Sequence, residues 1–363
     1  MDTMLEAAAE VFPAGEYLRD ELDERGWTVT EFAEILARPV QVVSEILNGK
    51  KEITTDTALA IGDALGTSPE LWLSLQTNYR LFETRRRRPT DLTPVARRAR
   101  LRGLVPLAEV RQRGWVTKTD DLDVLEDDVQ GLLGLDSLAG SAQFAVAARR
   151  SNSSEPLTLE QTAWLAHVRR VATARPVPDL DLGALADCAA SLPIELRHGP
   201  SVLSKVPKMF EACGVALVFS EGLRGGKLDG AVTFLPDGRA VIGITTRGDR
   251  FDTVLFTILH ECAHLTLRHI EAGTATIVDD DLSGEQHDPR EIQANHQALA
   301  WLFPDGFHVE STTPTAIASA AAKYRVHPSV VLGQIHKRTD TWTLHRSLVA
   351  KVRSDLTTAG LMS

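Results

Sequence analysis

Residues 251–264 read Phe251-Asp252-Thr253-Val254-Leu255-Phe256-Thr257-Ile258-Leu259-His260-Glu261-Cys262-Ala263-His264. Val254, Leu255, Ile258, Leu259, Ala263 and Leu267 recur at helical spacing and form a broad apolar stripe, which predicts a mostly buried helix. Asp252 or Thr253 can cap its start. His260 and His264 stand four residues apart, so both imidazoles leave one helix face a turn from each other. Two neutral imidazoles in that geometry can share one Zn²⁺, and Glu261 between them can serve as general base for an attacking water. Buried polar groups need partners, and a metal ion is one. The plainer alternative, a surface helix with incidental histidines, does not suit so wide an apolar stripe.

A hydrolytic zinc site needs a third protein ligand and an open fourth position. The segment Arg290-Glu291-Ile292-Gln293-Ala294-Asn295-His296 reads as the start of a second helix. Glu291 is the expected third ligand. Asn295, one turn further on the same face, is expected to orient a ligand histidine through a hydrogen bond. His287, Asp288 and His296 compete for the ligand role. His296 points about 140° away from Glu291 on the same helix. His287-Asp288-Pro289 reads as a turn, with Asp288 as a capping residue.

The chain has 363 residues, enough for two or three domains with sizeable cores, and 43% of them are hydrophobic. No apolar run approaches the roughly 20 residues of a membrane span. The segment Met1-Asp2-Thr3-Met4-Leu5-Glu6 lacks the basic start of a signal peptide. A cytoplasmic protein with no membrane partner is expected. The three cysteines, Cys188, Cys213 and Cys262, argue against a disulfide framework and against a cysteine zinc site. Cys262 reads as a small apolar filler of the helix.

The net charge of −10 hides a strong asymmetry. Ten arginines and two acids lie between Arg85 and Arg113, whereas residues 120–128 carry six acids. These blocks either pair with each other in a solvated linker, or the basic one forms a strap for phosphates beside a DNA-binding domain.

Residues 13–80 predict five short helices. Thr28 with Glu31 fits a capping box at the second. Pro39 opens the third, which stops at Asn48-Gly49. Thr54-Thr55-Asp56 begins the fourth, ending at Gly66, and Ser68-Pro69-Glu70 begins the fifth. The stretch Val40-Gln41-Val42-Val43-Ser44-Glu45-Ile46-Leu47-Asn48-Gly49-Lys50, with Ile53-Thr54 and with Leu65 to Leu73, resembles the XRE (lambda-repressor-like) helix-turn-helix family, most closely its antitoxin-type branch. That resemblance implies double-stranded DNA as a partner, with the third helix in the major groove. Arg38, Gln41 and Ser44 would then face bases, with Lys50 and Lys51 on phosphates. Glu45 would repel phosphate. Proteins of this kind pair on DNA, so a homodimer is expected. The bundle used only for docking or dimerisation is the alternative.

Residues 114–200 read as an irregular helical connector with loops at 152–156 and 175–178. Beyond Leu203 the pattern changes. A helix over 206–213, a buried strand Val215–Phe219 and a hairpin of Gly230–Phe234 with Ala240–Ile244 around Pro236-Asp237-Gly238 precede the His260 helix. Val241–Thr245 is the expected sheet edge for an extended peptide. This order, with His260-Glu261-Cys262-Ala263-His264 and Glu291-Ile292-Gln293-Ala294-Asn295, resembles the ImmA/IrrE family of zinc metallopeptidases over residues 200–305. Cys262-Ala263 stands where Leu-Gly is commoner, and Gln293 where an acid is common. The resemblance implies cleavage of a protein partner such as a repressor or an antitoxin-like protein. A helix-turn-helix repressor or antitoxin component, with a peptidase-like domain that only senses or binds, is the rival expectation.

The expected fold is therefore α+β. An all-α helix-turn-helix bundle over 1–82 leads to a basic linker and helical connector over 83–200. A zincin-like domain with a small sheet follows over 201–310, then a helical tail over 311–363. In that tail residues 324–334 resemble a second small helix-turn-helix element, and His327 and His336 are expected to be structural.

Overall fold

A computed structural model describes residues 11–87, 92–138, 157–272, 276–279 and 288–362. The chain separates into two compact units, one up to Thr93 and one from Pro94 onward.

The first unit holds α1 (Ala14–Arg25), α2 (Val29–Ile35), α3 (Val40–Leu47), α4 (Thr55–Leu65) and α5 (Pro69–Arg86). Local chemistry sets their ends. Thr28 accepts from the Glu31 amide while Glu31 accepts from the Thr28 amide, closing the expected capping box at α2. Thr54 caps α4, and Gly26 and Gly66 end α1 and α4 in the left-handed conformation. Leu18, Phe32, Ile61 and Trp72 are fully buried at the centre. Gly15 allows α1 to touch the backbone of α3, because a β-carbon there would sit 2.3 Å from the Ile46 carbonyl oxygen.

The second unit begins with α6 (Pro94–Leu104), α7 (Leu107–Gln112), α8 (Leu122–Leu133), α9 (Leu159–Thr173), α10 (Leu182–Glu195) and α11 (Val206–Glu211). Strands β1 (Val215–Phe219), β2 (Gly230–Phe234) and β3 (Ala240–Ile244) precede α12 (Phe251–Thr266). Then come β4 (Ile277–Asp279), α13 (Pro289–Leu302), α14 (Pro314–Tyr324), α15 (Pro328–Thr339) and α16 (Arg353–Thr358). The sheet order is β1-β3-β2-β4, with β1 parallel to β3 and the other pairs antiparallel. Val241–Thr245 is therefore no edge. β3 is paired on both sides, and the free edges belong to β1 and β4. The parallel crossover from β1 inserts β3 beside it, a non-local choice that the hairpin sequence does not disclose.

Both faces of this sheet are buried, as the period of two requires. Leu217, Val232 and Ile242 join a core with α10 and α12. Ala216, Val218, Ala231 and Val241 join another with Trp164 and Val168 of α9. A β-carbon on Gly243 would meet Trp164 at 2.8 Å and Val168 at 2.9 Å, so α9 lies directly on β3. The stretch expected as a connector is thus, from Pro94 onward, part of the second unit and covers one face of its sheet. The two charge blocks meet within it. Arg97 bonds Glu126 at 2.9 Å and also pairs with Asp123, and Arg100 reaches Glu126 at 2.9 Å. The Arg97 hydrogen bond outweighs desolvation and holds Glu126 below its ordinary pKa. Arg88 and the loop at 152–156 lie outside the described residues. Among the described residues, no helix is long and apolar enough to cross a membrane.

Candidate functional site

The polar face of α12 is held at both ends. Arg250, rather than Asp252 or Thr253, occupies the position before the helix. The Asp252 carboxylate accepts from Arg250 at 2.8 Å and from Ser329 at 3.3 Å, which pins the start of α12 to α15. Gly333 permits that approach, since a β-carbon there would lie 2.2 Å from Asp252 Oδ2. Arg250 also donates to His336 Nδ1 at 3.1 Å, and His336 Nε2 donates to the Leu344 carbonyl at 2.7 Å. His336 is thereby fixed as a neutral structural group.

One turn further along, His260, Glu261 and His264 are wholly buried, and Glu291 of α13 is 2% exposed. His260 Nε2 and His264 Nε2 are 2.9 Å apart. Both approach the same Glu291 oxygen, at 3.1 and 3.5 Å. Tetrahedral zinc with bonds of about 2.0–2.1 Å places its ligand atoms about 3.3 Å from one another. The three side chains converge at that spacing with two nitrogens and one carboxylate oxygen, a donor set suited to a divalent cation. Burial alone would raise the Glu291 pKa. Hydrogen bonds from His260 and then His264 outweigh it and hold the carboxyl far below its usual range. Glu261 lies against the start of β2, where Gly230 leaves room for its carboxylate.

His264 has an outer partner that sequence reading passed over. Its Nδ1 lies 3.0 Å from His269 Nδ1, and His269 Nε2 lies 3.1 Å from Gln293 Oε1. The amide oxygen can only accept, so His269 Nε2 carries the proton and its Nδ1 accepts from His264. That tautomer leaves His264 Nε2 with a free lone pair facing Glu291. Burial lowers the His269 pKa and keeps it neutral. Asn295 does not take the orienting position expected for it. Its Oδ1 is buried and has no hydrogen-bond partner among the described residues. His296 is exposed, and Asp288 caps α13 by accepting from the Arg290 amide at 2.8 Å. His287 lies outside the described residues. Burial pushes the Cys262 thiol well up, in keeping with a packing role.

In the first unit, α2 and α3 meet at a tight turn through Ala37. Gln41, Lys50 and Lys51 are exposed, while Arg38 and Ser44 are half-buried. The Lys50 and Lys51 amides both donate to the Glu45 carbonyl, fixing the loop after α3. A family model described as helix-turn-helix matches residues 18–72. Over 69 residues the chain is 32% identical to an uncharacterized HTH-type transcriptional regulator, YddM, of Escherichia coli, covering 19% of this chain and 73% of that protein. The chain belongs to this helix-turn-helix family. It is also 38% identical over 70 residues to virulence-associated protein A' of Dichelobacter nodosus, spanning 19% of this chain and 61% of that one. Among solved structures it is similar to an addiction module antidote protein of a HigA family from Coxiella burnetii. That match has 39% identity, a TM-score of 0.20, and covers 20% of this chain and 80% of the other.

Within the helix-turn-helix, Gln41 donates to Glu45 at 3.2 Å and Asn48 donates to Ser44. Gln41 must exchange that partner to reach a base. Arg19 of α1 donates to the Leu47 carbonyl and to Asn48 Oδ1, a brace that local sequence patterns do not announce.

Proposed function

We propose that this chain is a DNA-binding regulator whose second unit hydrolyses a peptide bond in a protein partner, using a divalent metal such as Zn²⁺. The helix-turn-helix membership supports the DNA-binding half. The convergence of His260, His264 and Glu291 on one point supports the hydrolytic half and is the observation that carries it. A bound cation would polarise the scissile carbonyl and acidify water.

The protein's own residues supply the rest. His264 is oriented by His269 and Gln293, so its lone pair is fixed before any ion arrives. Glu261, adjacent to His260 on the helix and walled by Gly230, is placed to take a proton from the attacking water and return it to the departing amine nitrogen. Burial of all four side chains excludes bulk solvent and strengthens each electrostatic contact. A protein substrate of repressor or antitoxin type suits a peptidase joined to a regulator.

The test pairs metal analysis with Glu261→Gln. One zinc per chain in both proteins, with cleavage of a partner or peptide library only by the wild type, is the expected result. No zinc in either, or equal cleavage by both, would remove the hydrolytic assignment. A second reading, a regulator without turnover, is favoured by one observation: the similarity to an HTH-type transcriptional regulator lies in the helix-turn-helix region. Zinc binding without cleavage of any peptide would support it.

A further inference from the structure

A small cavity of about 100 Å³ opens beside the candidate metal centre, between the first half of α12, the end of α13 and α15. Its walls are Phe256, Leu302, Phe303, Val330 and Trp342. Thr253, Phe256, His260 and His264 follow one another at steps of three and four residues, so cavity and metal ligands share one face of α12. The Phe256 and His260 rings are 6.2 Å apart between centroids. On the opposite rim Asp229 lines the cavity, and the next residue, Gly230, touches Glu261. The cavity therefore adjoins the site from two sides.

We propose that this cavity is the subsite that receives an aliphatic side chain, of leucine or methionine size, from the substrate residue next to the scissile bond. The inference rests on the hydrolytic reading above. Its apolar walls disfavour a charged guest. Asp229 and Lys337 on its rim carry opposite signs, so neither charge is selected. Lys337 Nζ sits 5.1 Å over the Phe256 ring and closes one end. Size sets the upper limit: an apolar cavity of roughly 150 Å³ holds benzene, so a smaller one admits a branched aliphatic group before an indole. Successive residues of an extended peptide advance about 3.3 Å, which brings the neighbouring side chain to the cavity mouth when the carbonyl stands at the His260–His264–Glu291 corner.

Hydroxamates test the subsite by binding rather than turnover. Acetohydroxamate and the hydroxamates of leucine, tryptophan and aspartate would be titrated calorimetrically into the full-length zinc-loaded protein. The leucine compound should bind about tenfold or more tighter than acetohydroxamate, the tryptophan and aspartate compounds not. Gln334→Trp, which fills the cavity, should erase the leucine advantage while leaving acetohydroxamate affinity unchanged. Phe256→Ala, which enlarges it, should shift preference towards tryptophan. Equal binding of all four, or a leucine preference that survives both substitutions, would overturn the subsite and leave the metal site standing. Absence of any zinc-dependent hydroxamate binding would overturn the hydrolytic reading, and the subsite with it.

Discussion

Gly230 and Glu261 are in such close contact that a β-carbon built on Gly230 would lie 2.1 Å from Glu261 Oε1 and 2.7 Å from Thr257 Cγ2. The first residue of β2 thus shapes the space for the carboxylate. Gly230→Ala should displace Glu261 or push the strand from α12, at a cost of about 1–3 kcal/mol. Peptide cleavage should fall about a hundredfold or more, since a misplaced general base loses most of its contribution. Zinc content should stay at the wild-type value, because no ligand touches Gly230. Thermal unfolding, metal analysis and a cleavage assay check the three parts. A fully active Gly230→Ala protein would show that Glu261 does not work from this position.

His269 is expected to act as a positioning residue. His269→Ala removes the acceptor at His264 Nδ1, so the ligand nitrogen loses its fixed orientation. Zinc affinity should drop about 10–100-fold, as for other outer partners of metal ligands. Competition with a chromogenic chelator reads this directly. His269→Gln, which can still accept at that point, should recover part of the loss. Unchanged affinity in both variants would mean that the imidazole pair is decorative.

Residues with local signals were legible in the sequence, and those fixed by distant parts of the chain were not. Thr28, Glu31, Gly66 and Asp288 announce helix ends within four positions of themselves, and the structure caps helices at each. The spacing of His260 and His264 is equally local. By contrast, β3 is interior only because the chain crosses over from β1, and nothing within Ala240–Ile244 encodes that. The α9 helix carries Trp164 and Val168 at i and i+4, a stripe that could have marked it as a sheet-covering helix. It was masked by the charged and loop-like segments on either side. His269 was hidden for a simpler reason: it follows the end of α12, where a left-handed Arg268 turns the chain back towards His264.

His167 should make the second unit sensitive to acid. It is 5% exposed and stacks on Trp115 with ring centroids 3.9 Å apart. Burial, then the charges of Arg170 and Arg113, pushes its pKa down to about 3. The unfolded chain takes up a proton near the ordinary value of about 6.5, whereas the folded one resists until about 3. The folded state is therefore favoured fully above about 6.5 and loses that advantage as pH falls towards about 3. The loss amounts to a few kcal/mol at most. His167→Phe keeps a ring on Trp115 and should flatten this part of the stability profile. Denaturant unfolding between pH 7 and 4 distinguishes the two proteins, and parallel profiles would contradict the role given to His167.

Lys50 and Lys51 should act on DNA through charge alone. Both follow α3 in a loop whose amides are tied to Glu45, and both side chains are exposed. A lysine on a phosphate releases a counterion without reading a base. Each single alanine substitution should weaken binding to operator and unrelated duplexes by similar factors. Each should also lower the slope of log affinity against log salt by about 1. Gln41→Ala should behave differently, changing the ranking of base sequences while leaving the salt slope unaltered, because its amide carries no charge. Fluorescence anisotropy over a salt series, with the DNA upstream of its own gene and a scrambled duplex, provides both readings. If Lys50→Ala alters sequence ranking but not the salt slope, the loop after α3 is reading bases and the assignment of phosphate contacts is wrong.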